Sequence, residues 1–256
     1  MSKAAKIYIT VITLVTIAAI LFGLGIHVFR NDGFLSFENE EHMQEEVKLD
    51  GTVTTLAIDV DAAEIIISKG SACKVGYDMP KSMKPEIELK GGKLSVSGKA
   101  KRNRIANLGI NEKSEIRIEL PMDTDLEKVF IRTDFGNVEM EGIDADTYDI
   151  ETDAGNLELK DFSAKEMKIS CDAGNIEMKK VKVDELIASV DAGNVEIDDS
   201  TIDLVDIETD AGNIEITNAT VNGGKCTTDL GNIELSGKIG DVTTKTSLGN
   251  VEVNGN

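Results

Sequence analysis

The sequence predicts an all-β fold: a parallel, β-helix-like solenoid of about seven 19-residue coils, preceded by an N-terminal transmembrane helix. Three observations lead there. A seven-residue pattern, D-x-G-N-[VIL]-E followed by an apolar residue, recurs at 134, 153, 172, 191, 210 and 229, and a last copy starts with Ser247. The first six copies are spaced by 19 residues and the last by 18. Apolar positions alternate with period two on both sides of each copy. Residues 7–29 form a run of 23 positions without a charge.

That run is long enough to cross a bilayer, which needs about 20 apolar residues. Lys3 and Lys6 precede it, so the positive-inside rule leaves residues 1–6 in the cytoplasm and places the rest outside. A cleaved signal peptide is the alternative, but its apolar region is normally shorter and ends in a small-x-small site. Gly23 and Gly25 imitate such a site, yet the apolar run continues past them. The expected arrangement is a single-pass cell-membrane protein with an extracytoplasmic C-terminal domain.

Residues 30–48 are acidic and weakly patterned and read as a juxtamembrane linker, with His42 solvated among carboxylates. Residues 49–128 form an N-terminal β region that caps or continues the solenoid. An alternating run at Leu56, Ile58 and Val60 leads into Asp61-Ala-Ala-Glu-Ile-Ile-Ile, a weak relative of the repeat. Strands are expected at 86–89, 93–97 and 115–120, with a loop at Met79-Pro80 and Lys84-Pro85.

Residues 129–256 carry the solenoid. Before each Asp the inward positions are apolar or small: Tyr148, Ile150 and Thr152; Met167, Ile169 and Cys171; Leu186, Ala188 and Val190; Val205, Ile207 and Thr209. After each Asn come pairs such as Leu157 and Leu159 or Ile176 and Met178, always with a Glu between them. Two short strands therefore flank each D-x-G-N turn. The turn formers are Gly136-Asn137, Gly155-Asn156, Gly174-Asn175, Gly193-Asn194, Gly212-Asn213, Gly231-Asn232 and Gly249-Asn250. Glycine supplies a positive φ there, and the Asp and Asn side chains bond nearby backbone. A strand pair this small cannot bury its apolar side alone, whereas stacked neighbours can. An antiparallel meander also fits the spacing, but the constant period favours the solenoid, in which equivalent residues stack about 4.8 Å apart.

Residues 50–256 resemble the bacterial putative-adhesin family of β-strand-repeat domains (domain of unknown function 4097). The likeness rests on the early strand 54–68, the Glu119-Leu120-Pro121 strand end, Val129-Phe130-Ile131-Arg132-Thr133 and the tandem repeats. It implies a solenoid-like ectodomain, often behind one membrane anchor, in the cell envelope. It implies no catalytic residues.

Charge narrows function further. The chain holds 27 Lys+Arg against 47 Asp+Glu, a net charge of −20. Such a balance repels phosphates, so nucleic acid is excluded as a partner. Two His and three Cys exclude a zinc-cluster or disulfide scaffold. Cys171 and Cys226 fall on inward positions of different coils and should be buried free thiols, and Cys73 has no evident mate. No Ser/His/Asp or Cys/His set and no phosphate-binding loop is present. A polysaccharide-cleaving β-helix needs two carboxylates in different environments, whereas the repeat Glu residues are equivalent and outward.

The sharpest candidate site is a pair of carboxylate columns. Asp153, Asp172, Asp191 and Asp210 form one, and Glu158, Glu177, Glu196 and Glu215 the other. Calcium takes carboxylate oxygens and would relieve their repulsion, although D-x-G-N lacks the G-G-x-G-x-D spacing of calcium β-rolls. The alternative is a solvated face whose charge opposes aggregation. The resulting expectation is a non-enzymatic, membrane-anchored envelope protein whose acidic solenoid serves adhesion, interaction or scaffolding, including in envelope stress. Its partner would be cationic or metal-bridged, and Asn254, Gly255 and Asn256 would blunt the last coil and keep the chain monomeric.

Overall fold

A computed structural model describes residues 41–99 and 114–255. The expected spanning segment 7–29 lies outside them; among the described residues no helix is long and apolar enough to cross a membrane. The strands in chain order are β1 (His42–Lys48), β2 (Thr55–Ala62), β3 (Glu64–Gly70), β4 (Lys74–Pro80), β5 (Glu86–Lys90), β6 (Lys93–Gly98) and β7 (Glu115–Pro121). There follow β8 (Leu126–Phe135), β9 (Val138–Glu141), β10 (Ala145–Ala154), β11 (Leu157–Lys160), β12 (Ser163–Ala173) and β13 (Ile176–Lys179). The last are β14 (Lys182–Ala192), β15 (Val195–Asp198), β16 (Thr201–Ala211), β17 (Ile214–Leu230), β18 (Ile233–Leu248) and β19 (Val251–Gly255).

Each repeat is one coil of a parallel solenoid. A long strand ends in the D-x-G-N corner, a four-residue strand follows, and a second corner leads to the next coil. Long strands stack on long strands, with Tyr148 beside Met167, Ile150 beside Ile169 and Thr152 beside Cys171. Short strands do the same, with Leu157 beside Ile176 and Leu159 beside Met178. In the last coils the second corner opens out, so β17 and β18 each run through it as one strand. The meander is thereby ruled out: every pairing between neighbouring repeat coils is parallel.

The inward positions of both strands form one continuous core, from Leu56 and Ile58 to Ile233 and Leu235. Burying each Ile, Leu or Val contributes about 1.5–3 kcal/mol. Tyr148 is the bulkiest of these residues; its hydroxyl donates to the Ile143 carbonyl, and its ring lies 5.0 Å from that of Phe162.

The N-terminal region continues the solenoid and caps it, out of chain order. β2 and β3 form the coil beneath β8 and β9, which places Asp61-Ala-Ala where the D-x-G-N corner stands in later coils. Beneath them lie β6 and β7, parallel to β2 and β3. The chain thus builds its second rung before its first. The outer edges of that first rung are closed by antiparallel strands, β5 on β6 and β4 on β7.

Residues 42–48 differ from the linker expected of them. They form β1, antiparallel to β4 over seven residue pairs. Alternating charge hid the strand, because only Met43 and Val47 turn partly inward. His42 is correspondingly not a lone solvated side chain, since its Nδ1 lies 3.3 Å from Asp78. Tyr77 donates to Glu45, Lys84 donates to the same carboxylate at 3.0 Å, and the two hydrogen bonds hold Glu45 below the usual carboxylate range.

Candidate interaction surface

The D-x-G-N corner is built by close approach. A Cβ placed on Gly155, Gly174, Gly193, Gly212, Gly231 or Gly249 would sit 1.7–2.0 Å from the carbonyl oxygen of the glycine one coil below. Gly136 would likewise meet the Ala63 carbonyl at 1.9 Å. The sequence reading assigned these glycines a turn-forming φ. Gly136, Gly155, Gly174, Gly193 and Gly249 do carry a positive φ, of 131° to 159°, but space is the stricter demand, because Gly212 and Gly231 lie outside the left-handed region and still admit no side chain. At the opposite corner φ falls between 51° and 71°, at Gly142, Asp161, Lys180, Asp199 and Asn218.

The asparagines likewise act between coils. Asn137 Oδ1 accepts from the Asn156 N–H at 2.9 Å, and Asn156 accepts from Asn175 at 3.0 Å. The ladder continues through Asn194, Asn213, Asn232 and Asn250. Each bond satisfies a corner N–H that a local Asx turn would leave to solvent, and each locks the register of one coil on the next.

This scaffold fixes the carboxylates. Glu158, Glu177, Glu196 and Glu215 stand in register on consecutive short strands, flanked by Glu139 below and Glu234 and Glu252 above. Asp153, Asp172, Asp191 and Asp210 close the long strands on the other side of the corner, all exposed. The two columns do not converge: among the described residues no three His, Cys, Asp or Glu side chains could share a metal ion. The Glu column is also less uniform than its spacing implied. Glu139 and Glu158 are half-buried, and Glu158 is paired with Lys160.

Like charges at this spacing repel by about 0.8 kcal/mol per step in water. That is small beside the burial in each coil, so the core decides the fold and the ladder is tolerated. Cations also reach between coils. Lys165 meets Asp146 at 2.7 Å, Lys179 meets Asp198 at 3.1 Å and Arg132 donates to Glu151 at 2.9 Å. The Lys179 hydrogen bond holds Asp198 below the usual carboxylate range. Asp134 is held above it by burial, with Asp61 and Asp59 nearby.

Charge along the solenoid is uneven, which counting the whole chain conceals. Residues 164–182 hold five lysines against three carboxylates, whereas residues 183–220 hold eleven carboxylates and no Lys or Arg. Ten of those eleven are exposed. On the long-strand face of these two coils stand Glu185, Asp191, Asp206, Glu208 and Asp210. Leu204 lies among them, 54% exposed, stacked between Glu185 and Gly223. Sequence reasoning overlooked this block because it followed the repeat columns; counting charge coil by coil would have found it.

A shallow groove of ≈ 340 Å³ lies at the second corner, edged by Asp161, Lys180, Lys182 and Asp199. It mixes both signs of charge. The thiols of Cys73, Cys171 and Cys226 are free and buried, as expected. Burial pushes Cys171 up to about 11 and Cys226 up to about 12.

The sequence from 53 to 255 matches the family model described as Toastrack DUF4097. The structure is similar to a crystal structure of a putative adhesin from Bacteroides fragilis, at 14% identity and a TM-score of 0.58, covering 83% of this chain and 96% of that one. It is also similar to a putative lipid binding protein from Parabacteroides distasonis, at 16% identity and a TM-score of 0.54, covering 85% of this chain and 96% of that one. These likenesses establish the shared solenoid fold. No curated protein matches the sequence. The match spans far more than half of the chain, and the chain belongs to the Toastrack DUF4097 family.

Proposed function

We propose that this Toastrack DUF4097 protein is a non-enzymatic, membrane-anchored component of the cell envelope that presents its acidic solenoid to a cationic partner. The observation that carries the reading is the block at 183–220, with eleven carboxylates and no basic residue on a rigid two-coil surface. A surface of one sign attracts oppositely charged ligands and loses them as salt rises. The exposed Leu204 at its centre offers an apolar contact inside a charged rim. The apolar segment 7–29, with Lys3 and Lys6 before it, supports a single-pass anchor with the solenoid on the outer side. The similar solenoids described as a putative adhesin and a putative lipid binding protein support a binding role in the envelope.

The test is titration of the full chain in detergent with a lysine-rich peptide, at two salt concentrations. The triple variant Glu185→Lys, Asp206→Lys, Glu208→Lys should bind at least about tenfold more weakly and show a shallower salt dependence. Equal binding by that variant would refute the assignment of the surface. Release of product from wall glycans by the wild-type chain, lost in Glu177→Gln or Glu196→Gln, would refute the non-enzymatic reading.

A further inference from the structure

The two ends of the solenoid are built differently. At the first rung, β4 and β5 pair antiparallel with β7 and β6 and close both outer edges. At the last rung, residues 238–248 of β18 pair only with β17, and β19 pairs only with β18. Among the described residues their other edges have no partner strand. The inward positions there are uncovered: Val251 is 42% and Val253 46% exposed, whereas Ile233 and Leu235, one coil below, are 1% exposed. An open edge beside exposed apolar side chains is a template for another strand.

Charge and register identify what fits. A net charge of −20 opposes self-association over most of this surface. The last coil is the exception. Residues 237–255 hold Lys238 and Lys245 against Asp241 and Glu252, a balanced set. The order of these residues is also self-complementary. An antiparallel pairing of two β18 edges centred on Thr243 places Asp241 of each copy opposite Lys245 of the other. The same register sets Val242 opposite Thr244, two partly buried positions of the inward face. Directly opposed residues in antiparallel strands share a face, so over 241–245 inward residues meet inward ones, outward meet outward, and no like charges meet. On β19, pairing centred on Val253 sets it against its own counterpart and Glu252 against Asn254.

We propose that the partner of this end is a second copy of the chain, joined end to end through the β18 edges in a two-fold symmetric dimer. The first rungs and β1 then lie at the two far ends of the assembly. On the reading that each chain is membrane-anchored, the dimer joins two opposed membranes. Asn254 and Gly255, expected to blunt this edge, continue β19 as strand.

Cysteine cross-linking of the full chain in detergent tests the contact. Thr243 sits on the two-fold axis, where opposed Cα atoms lie about 4.5–5.5 Å apart, within the roughly 7 Å reach of a disulfide. Thr243→Cys should therefore form a covalent dimer under mild oxidation. Lys225→Cys, exposed on the same column one coil inward, should not. Lys245→Glu should lower the dimer fraction at least about tenfold, and Asp241→Lys combined with Lys245→Asp should restore it. Equal cross-linking at 243 and 225, or no rescue by the exchange, would overturn the proposal. Vesicles carrying the full chain should cluster through the same contact. Cross-linking in detergent without clustering would leave the dimer standing and remove the anchored, opposed arrangement.

Discussion

Replacing Gly212 with alanine tests whether the corner glycines are needed for space. Its φ lies outside the left-handed region, so a methyl group incurs no left-handed strain. The added Cβ would instead stand 1.7 Å from the Gly193 carbonyl oxygen and 2.6 Å from its carbon. Ordinary C···O contacts begin near 3.3 Å, so the two coils must part locally by about 1.5 Å. That movement breaks the Gly193 N–H bond to the Ala211 carbonyl, now 3.0 Å, and the Asn213 N–H bond to Asn194 Oδ1, now 2.9 Å. Two hydrogen bonds contribute about 1 kcal/mol each, and overpacking of a tight interior costs about 1–3 kcal/mol. The expected loss is therefore roughly 3–5 kcal/mol by these two contributions.

Urea unfolding followed by far-ultraviolet circular dichroism reads this directly. With a slope near 2–3 kcal/mol/M for a domain of this size, the midpoint should fall by about 1–2 M. Gly91→Ala supplies the control: its Cβ meets nothing within 4 Å, but its φ is +58°. That substitution should cost only about 1–2 kcal/mol, from the left-handed backbone alone. A Gly212→Ala loss equal to or below the Gly91→Ala loss would refute the close-approach account and return these glycines to ordinary turn formers.

Asn194→Leu removes the acceptor for the Asn213 N–H and should cost about 1–3 kcal/mol in the same unfolding assay, whereas Asn194→Asp keeps an acceptor and should cost less. Lys180→Gly relieves a non-glycine residue at φ 53° and should raise stability by roughly 0.5–1 kcal/mol after the extra unfolded-state entropy is counted, read as a slightly higher urea midpoint. Burial raises the Cys171 and Cys226 thiols to about 11 and about 12 from 9.0. Above pH 9 the unfolded chain loses these protons first, so stability should fall with rising pH, by up to about 1.4 kcal/mol per unit for each thiol. Cys226→Ala should shallow that alkaline slope, and an unchanged slope would show that the thiol does not contribute to it.

The solenoid was legible because its signal is repeated. Tyr148, Ile150, Thr152 and their counterparts recur with a period that only stacking makes useful, and the parallel register follows from alignment by that period. What could not be read is what depends on non-local choice. The pattern of β6, with Leu94 and Val96 inward, suits a place beneath any coil, and nothing local states that β2 lies between it and β8. β1 escaped notice because an outer strand needs little apolar surface. The repeated Asn residues were visible, but a side chain that bonds the next coil has the same one-dimensional signature as one that bonds its own turn.

The carboxylate ladder that dominated the sequence is the least specific part of the surface. Its members repeat along the whole rod, so a partner bound to them gains no fixed position. Position comes from where the repeat is uneven. Lys165 and Lys179 pair with Asp146 and Asp198 on the coils either side of 164–182, whereas 183–220 holds no Lys or Arg of its own and keeps ten exposed carboxylates. Beyond it the charge declines toward the balanced last coil. The same regular scaffold thus carries two different surfaces: an acidic block that attracts cations and repels its own kind, and an end coil neutral enough to meet a copy of itself. Regularity supplies the stiffness, and departures from it supply the specificity.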